Sequence, residues 1–279
     1  MSLHVERSGR KAGSGRPPLV LLHGWGLGSD VWGPLLPALE PHFDLTRVDL
    51  PGLGRSKAYP EPYTLENVAA AILEQAPAQA VWLGWSLGGL VACEAARQAP
   101  QRVVALVTVA SNPCFVARDG WSCAMPPETF DDFVRRLAVD PGRTLASFAL
   151  LQTQGAEGGR EALRLLKSLI GTLEPTALAL ALKLLAEDGR QTLASLPQPM
   201  LHIFGSEDRL VPAALVTELA GTVPQARIEC YEGRDICRSC PMPTVLSTTS
   251  VALPEICHER SPARQAPYRR VVFPRGGQL

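Results

Sequence analysis

Apolar positions come in two patterns along this chain. Short runs rich in Val, Leu and Ile fall at Leu19 to Leu22, Leu45 to Val48, Val81 to Leu83, Val103 to Val109 and Met200 to Phe204. Between them lie stretches with helical spacing, notably Leu65 to Gln75 and Leu87 to Gln98. Continuous apolar strands alternating with helices of this length predict an α/β fold, a mostly parallel sheet flanked by helices on both faces. In such sheets ligands sit at the carboxyl ends of the strands.

From about Cys114 to Ser195 the strand pattern stops and the chain reads as helices. Ala162, Leu165, Leu166 and Leu169 form one apolar stripe, and Leu178, Leu182 and Leu185 another. A helical cap inserted between two core strands is the natural reading, and Pro197 and Pro199 return the chain to the sheet at Met200. The expected organisation is core at 1–113, cap at 114–195, core again at 196–233 and an aberrant tail at 234–279.

Charge narrows the partners. The 27 Lys and Arg balance the 27 Asp and Glu, so neither nucleic acid nor a membrane surface is favoured globally, and any electrostatic partner must meet a local patch. The N-terminus lacks the apolar core of a signal peptide, and no segment gives about 18 uninterrupted apolar residues. A cytoplasmic, monomeric protein with reduced thiols is expected, its seven cysteines being an odd number.

The chemistry concentrates at strand ends. Ala80 to Leu83 run into Gly84-Trp85-Ser86-Leu87-Gly88 and then into an Ala-rich helix. Gly-x-Ser-x-Gly between strand and helix is the pattern of a nucleophile elbow, which lifts a serine hydroxyl above the sheet beside backbone N–H donors. His23-Gly24-Trp25-Gly26 follows the first strong strand, so the N–H groups of Trp25 and Leu87 are candidate oxyanion donors. His23 leaves its strand before the turn and reads as a structural hydrogen-bonding residue, and Asp49 to Ser56 as a structural loop. Asp208, just past the strand at Met200, is a candidate to orient a catalytic histidine; a surface-turn aspartate is the alternative.

These motifs resemble the α/β-hydrolase superfamily. Trp82 to Ala92, Val107 to Ser111, Pro113 to Phe115, Ala117 to Asp119 and Phe148 to Thr153 are similar to the pimeloyl-[acyl-carrier protein] methyl ester esterases of biotin synthesis, over roughly residues 18–233. The resemblance implies a serine carboxylesterase with an acyl-enzyme on Ser86, no metal and no cofactor. It also implies substrate contacts from Trp25, Leu87, Phe148, Ala149, Leu150, Leu151 and Gln152, and docking of an acidic acyl carrier protein by Arg143, Arg160 and Arg164. Another arginine of the family falls at Ser147. Spacing independently puts Arg160, Arg164 and Lys167 on one helical stripe. A short-chain carboxylesterase and a non-catalytic acyl- or carrier-binding protein of the same fold are the alternatives.

One departure stands out. The family places its histidine in a Gly-His-x-Pro-Phe-type loop after the last strand, here Arg227 to Gly233, but the chain continues Arg234-Asp235-Ile236-Cys237-Arg238-Ser239-Cys240-Pro241-Met242. His4, His23, His42 and His202 precede Asp208, leaving only His258 downstream. One permitted codon choice for residues 234–242, CGG GAC ATC TGC CGT TCC TGT CCC ATG, reads Gly-His-Leu-Pro-Phe-Leu-Ser-His when entered two bases later. The expectation is that everything after about Gly233 is out of frame. Zinc at Cys237, Cys240, Cys257 and His258, or His258 folding back to serve Ser86, are competing readings.

Overall fold

The computed structural model describes residues 1–9, 15–153, 159–170, 174–231 and 271–273. The apolar runs form the strands β2 (Pro18–Leu22), β3 (Asp44–Val48), β4 (Ala80–Trp85), β5 (Val103–Val109), β6 (Met200–Gly205) and β7 (Arg227–Tyr231). An N-terminal strand β1 (Val5–Ser8), which its mixed polar sequence did not announce, runs antiparallel to β3 along one edge. A three-residue strand, β8 (Val271–Phe273), pairs parallel with β7 at the other edge. The sheet order is β1-β3-β2-β4-β5-β6-β7-β8, and every pairing except β1 with β3 is parallel.

Both faces of the sheet are covered, which explains why its central strands are apolar without alternation. Helices α2 (Leu65–Gln75) and α3 (Leu87–Gln98) pack on one face, where Val20, Leu22, Trp82 and Leu106 meet Val68, Ile72, Val91 and Ala95. A 3-10 helix (Ser29–Leu35) and the short α1 (Leu36–Leu39) cover part of the other, over Leu19, Leu21, Leu45 and Leu83. Helix α2 starts where Thr64 Oγ1 accepts the Asn67 N–H at 3.2 Å, and it ends just before Pro77, which cannot continue it.

Between β5 and β6 the chain forms α4 (Pro127–Val139), α5 (Pro141–Thr153), α6 (Gly159–Leu169), α7 (Pro175–Leu184) and α8 (Arg190–Ala194). The stretch leading into α4 is not helical: isolated bridges join Val116 to Met125 and Arg118 to Trp121. Leu178, Leu182 and Leu185 are buried as one stripe. The two ends of this insertion are clasped, since Gly189 N–H donates to Pro113 O at 2.7 Å, Arg118 donates to Ala186 O, and the Arg190 guanidinium lies 5.6 Å from the Trp121 ring centroid. Helix α9 (Leu215–Thr222) links β6 to β7. Among the described residues, no helix is long and apolar enough to cross a membrane.

Candidate active site

Ser86 stands between β4 and α3 at φ 53° and ψ −115°, a backbone conformation that a residue with a side chain rarely adopts. Holding it costs about 1–3 kcal/mol, so its surroundings must impose it. They do so through hydrogen bonds on both peptide groups. Ser86 N–H donates to Val109 O at 2.9 Å, and its carbonyl accepts from Gly89 N–H and from Ser111 Oγ, each at 2.9 Å.

The glycines of the elbow are needed for room. A Cβ on Gly84 would lie 2.2 Å from Gly88 O, and one on Gly88 would lie 2.3 Å from Leu22 O. The turn can therefore form only while these backbones touch. Ser86 is partly exposed amid buried neighbours, so its hydroxyl is the reachable polar group of the elbow.

Gly24 brings the loop after β2 against the serine: a Cβ there would sit 3.5 Å from Ser86 Cβ. Buried His23 anchors that loop. Its Nε2 accepts the Leu50 N–H at 2.9 Å, so the proton resides on Nδ1, which donates to Gly24 O at 2.8 Å. This bonding requires a neutral ring, and burial holds the His23 pKa down accordingly.

Next door, the buried Asp49 carboxylate accepts from Ser29 N–H at 2.5 Å and Arg55 N–H at 2.7 Å. Burial disfavours its charge, but the surrounding donors outweigh that and keep its pKa below the usual range. The loop at 49–56 is thus structural, and it braces the loop at 23–27 that carries Trp25. Among the described residues, neither the Trp25 nor the Leu87 backbone N–H has a protein acceptor.

Asp208 follows β6, two strands away from β4 in the sheet. Its Oδ1 accepts the N–H groups of Leu210 and Val211, both at 2.9 Å, which fixes the carboxyl group. Oδ2 receives no donor among the described residues. Burial raises the Asp208 pKa, the two backbone N–H bonds working against that rise. The two backbone bonds hold this buried carboxyl group in one orientation at the end of β6.

The residues after Tyr231 that would present a histidine to Asp208 lie outside the described ones, as do Cys237, Cys240, Cys257 and His258. Among the described residues, no group of three or more His, Cys, Asp or Glu is placed to hold a metal ion.

The helical insertion closes over Trp25. Its indole Nε1–H donates to Leu178 O of α7 at 2.9 Å, and its ring meets Phe133 of α4 and Phe148 of α5 edge-on at 5.4 and 5.2 Å. Beside it lies a narrow apolar cleft lined by Leu27, Leu145, Phe148, Ala149, Gln152 and Leu166, among others. The cleft has a volume of about 10 Å³, room for one water. Leu150 and Leu151, on the same helix, are instead 50% and 42% exposed. Arg143, Arg160 and Arg164 are exposed as well, on the outer side of α5 and α6.

The Trp25 indole bond, the Ser111 clamp on the Ser86 carbonyl and the Asp49 brace were not legible in the sequence. Each joins residues 20 or more positions apart, and only the Gly and Asp turn signals near them hinted at special loops.

Comparison with known proteins agrees with this fold. Residues 17–233 match the family model described as alpha/beta hydrolase fold. In fold the chain is similar to an esterase from Exiguobacterium antarcticum, with TM-score 0.78 and 20% identity over 91% of this chain and 95% of that one. An enol-lactonase from Burkholderia xenovorans is equally close in fold, with TM-score 0.78 and 22% identity over 91% and 96%.

Among curated proteins, the pimeloyl-[acyl-carrier protein] methyl ester esterase of Klebsiella pneumoniae is 49% identical over 77% of this chain and 84% of its own length. Its counterpart from Pectobacterium carotovorum is 48% identical over 72% and 79%. The chain belongs to the alpha/beta hydrolase family and, within it, to the group formed by these esterases.

Proposed function

We propose that this chain derives from a serine carboxylesterase that hydrolyses the methyl ester of a pimeloyl chain carried on acyl carrier protein. The observation that carries the reading is the strained elbow at Ser86, built on a chain 49% identical to esterases of that name. Ser86 Oγ attacks the ester carbonyl while a histidine takes its proton. The N–H groups of Trp25 and Leu87 hold the oxyanion, and Asp208 orients the histidine. Methanol leaves with the proton, and water then attacks the acyl-enzyme, returning free Ser86 and a carboxylate.

Residues 114–195 act as the cap, and the acyl chain enters between Trp25 and α5. Because the cleft is far below the ~300 Å³ typical of ligand sites, α5 and α6 must move outward on binding.

The histidine belongs in the loop after β7, where one permitted codon choice for residues 234–242 encodes it out of frame, and in this reading the family's sequence is displaced from about Gly233 onward. Missing its base, the chain as it stands is a hydrolase-like protein that binds acyl carrier substrate and turns it over slowly. This is the specific reason to keep the non-catalytic alternative.

The test is methanol release from the methyl pimeloyl-carrier ester by this chain, by a version with the frame restored at residue 234, and by the restored Ser86→Ala variant. Restored turnover at least a thousandfold above that of the present chain, and lost with Ser86, is expected. Fast cleavage of short nitrophenyl esters with none of the carrier ester would favour the short-chain carboxylesterase instead. An unbroken frame in independent reads of the gene would remove the frame reading.

A further inference from the structure

Among the described residues, two that carry a side chain have positive φ, Ser86 at 53° and Ala110 at 44°. Both conformations are uphill for a residue with a Cβ, and the two are joined. Val109 O accepts the Ser86 N–H at 2.9 Å, the Ala110 N–H donates to Ile203 O of β6 at 2.9 Å, and the Ser111 hydroxyl donates to Ser86 O at 2.9 Å. Ala110 thus turns the chain out of β5 at the point from which the next residue reaches back to the elbow.

Ser111 is held on its far side as well. Asn112 is buried, its Oδ1 accepting the Cys114 N–H and the Trp121 indole N–H and its Nδ2 donating to Cys123 O, each at 3.0 Å. Pro113 O accepts the Gly189 N–H at 2.7 Å from the other end of the insertion. Ser111 itself is 5% exposed and packs on Gly89, where an added Cβ would lie 2.4 Å from its Oγ. Its hydroxyl therefore has little freedom to point elsewhere.

The peptide group it grips is shared with the next residue. A trans peptide is planar, so the Ser86 carbonyl and the Leu87 N–H lie in one plane and point in opposite directions. Fixing the oxygen fixes the N–H, and a hydrogen bond donated to the carbonyl also polarises the N–H across the amide. The Gly89 N–H bonds the same oxygen, but from within the elbow's own turn. Ser111 grips it from 25 positions away, at the end of the adjacent strand, an anchor outside the elbow.

We infer that Ser111 is a positioning residue for the reaction: its hydroxyl, aimed by the turn at Ala110, sets the direction of the Leu87 N–H toward the ester oxygen. This rests on the proposed serine-esterase chemistry and deepens it. An oxyanion donor helps only if it already points where the charge will develop. Ser111 acts through the Ser86–Leu87 peptide and gives no proton to the substrate. Its loss should therefore lower kcat rather than raise KM.

The test has two arms. In the present chain, Ser111→Ala and Ser111→Cys are compared with the parent by proton–nitrogen NMR, following the amides of Leu87 and Trp25. The Leu87 amide should shift with alanine, and less with cysteine, whose thiol is a weaker donor, while the Trp25 amide, on the loop after β2, stays in place. In the frame-restored chain, kcat for a short nitrophenyl ester should fall about tenfold or more with alanine, KM staying within about twofold. Cysteine keeps the shape of the site and serves as the second variant should alanine melt earlier than the parent.

An unmoved Leu87 amide, or a kcat per folded molecule equal to the parent's, would overturn the inference and leave Ser111 a purely structural bond. So would a raised KM at unchanged kcat, which would put the hydroxyl on ground-state binding. A frame-restored parent whose turnover survives Ser86→Ala would overturn the esterase reading and this inference with it. The other results leave that reading standing.

Discussion

Gly84 and Gly88 set the limits of the elbow at the residue scale, because what a side chain would strike there is backbone. A Cβ on Gly84 meets Gly88 O at 2.2 Å and Gly89 N at 2.4 Å, neither of which can rotate away. Gly84→Ala should therefore cost at least about 2 kcal/mol in urea unfolding. Gly221, inside α9 with nothing within 4 Å of its added Cβ, is the control: alanine there should stabilise by about 0.5–1 kcal/mol. Equal effects at the two positions would refute the steric account of the elbow. The Gly-x-Ser-x-Gly spacing was readable in the chain, but the Ser111 hydroxyl that holds the serine's carbonyl was not, since it arrives from the end of the adjacent strand.

Between elements, Trp25 is the joint of core and insertion. Its ring touches α4 and α5 and its N–H bonds α7, so three helices that share no sheet hydrogen bond are registered on one side chain. Trp25→Phe keeps an aromatic ring and removes the bond to Leu178 O. The expected loss is about 1 kcal/mol of global stability, with a larger rise in hydrogen exchange at α7 than in β4 or β5. Uniform exchange across both parts would show that Trp25 does not hold the insertion. The helices themselves were legible because Leu178, Leu182 and Leu185 recur at helical spacing. Their docking on Trp25 was not, because an exposed and a buried aromatic look alike in a sequence.

The whole molecule's response to acid includes two buried neutral histidines, His23 and, in β6, His202. His202 packs inside the sheet with Nδ1 2.7 Å from Thr108 Oγ1, and burial lowers its pKa to about 4. In the unfolded chain it takes a proton near pH 6.5, so the unfolded state binds more protons between those values. The contribution is complete above about pH 6.5 and is lost as pH falls toward 4, a difference of about 3 kcal/mol. Asp208, whose pKa is raised, shifts stability the opposite way, so the comparison must be made against a variant. His202→Gln should flatten the fall in unfolding free energy between pH 7 and pH 4.5 by about 2 kcal/mol; an unchanged slope would mean that the ring takes up its proton in the fold at the same pH as in the unfolded chain.

Sequence by itself determined the alternation of strands and helices, the elbow, and the absence of a histidine where the family has one. Those are local properties, carried by periodicity and by residue types adjacent in the chain. The order of strands, the neutral state of His23, the brace at Asp49 and the Ser111 bond to Ser86 were decided only in the folded molecule. Hydrogen bonds, burial and helix orientation join positions far apart in the chain, and local pattern does not encode which distant groups will share a hydrogen or exclude water.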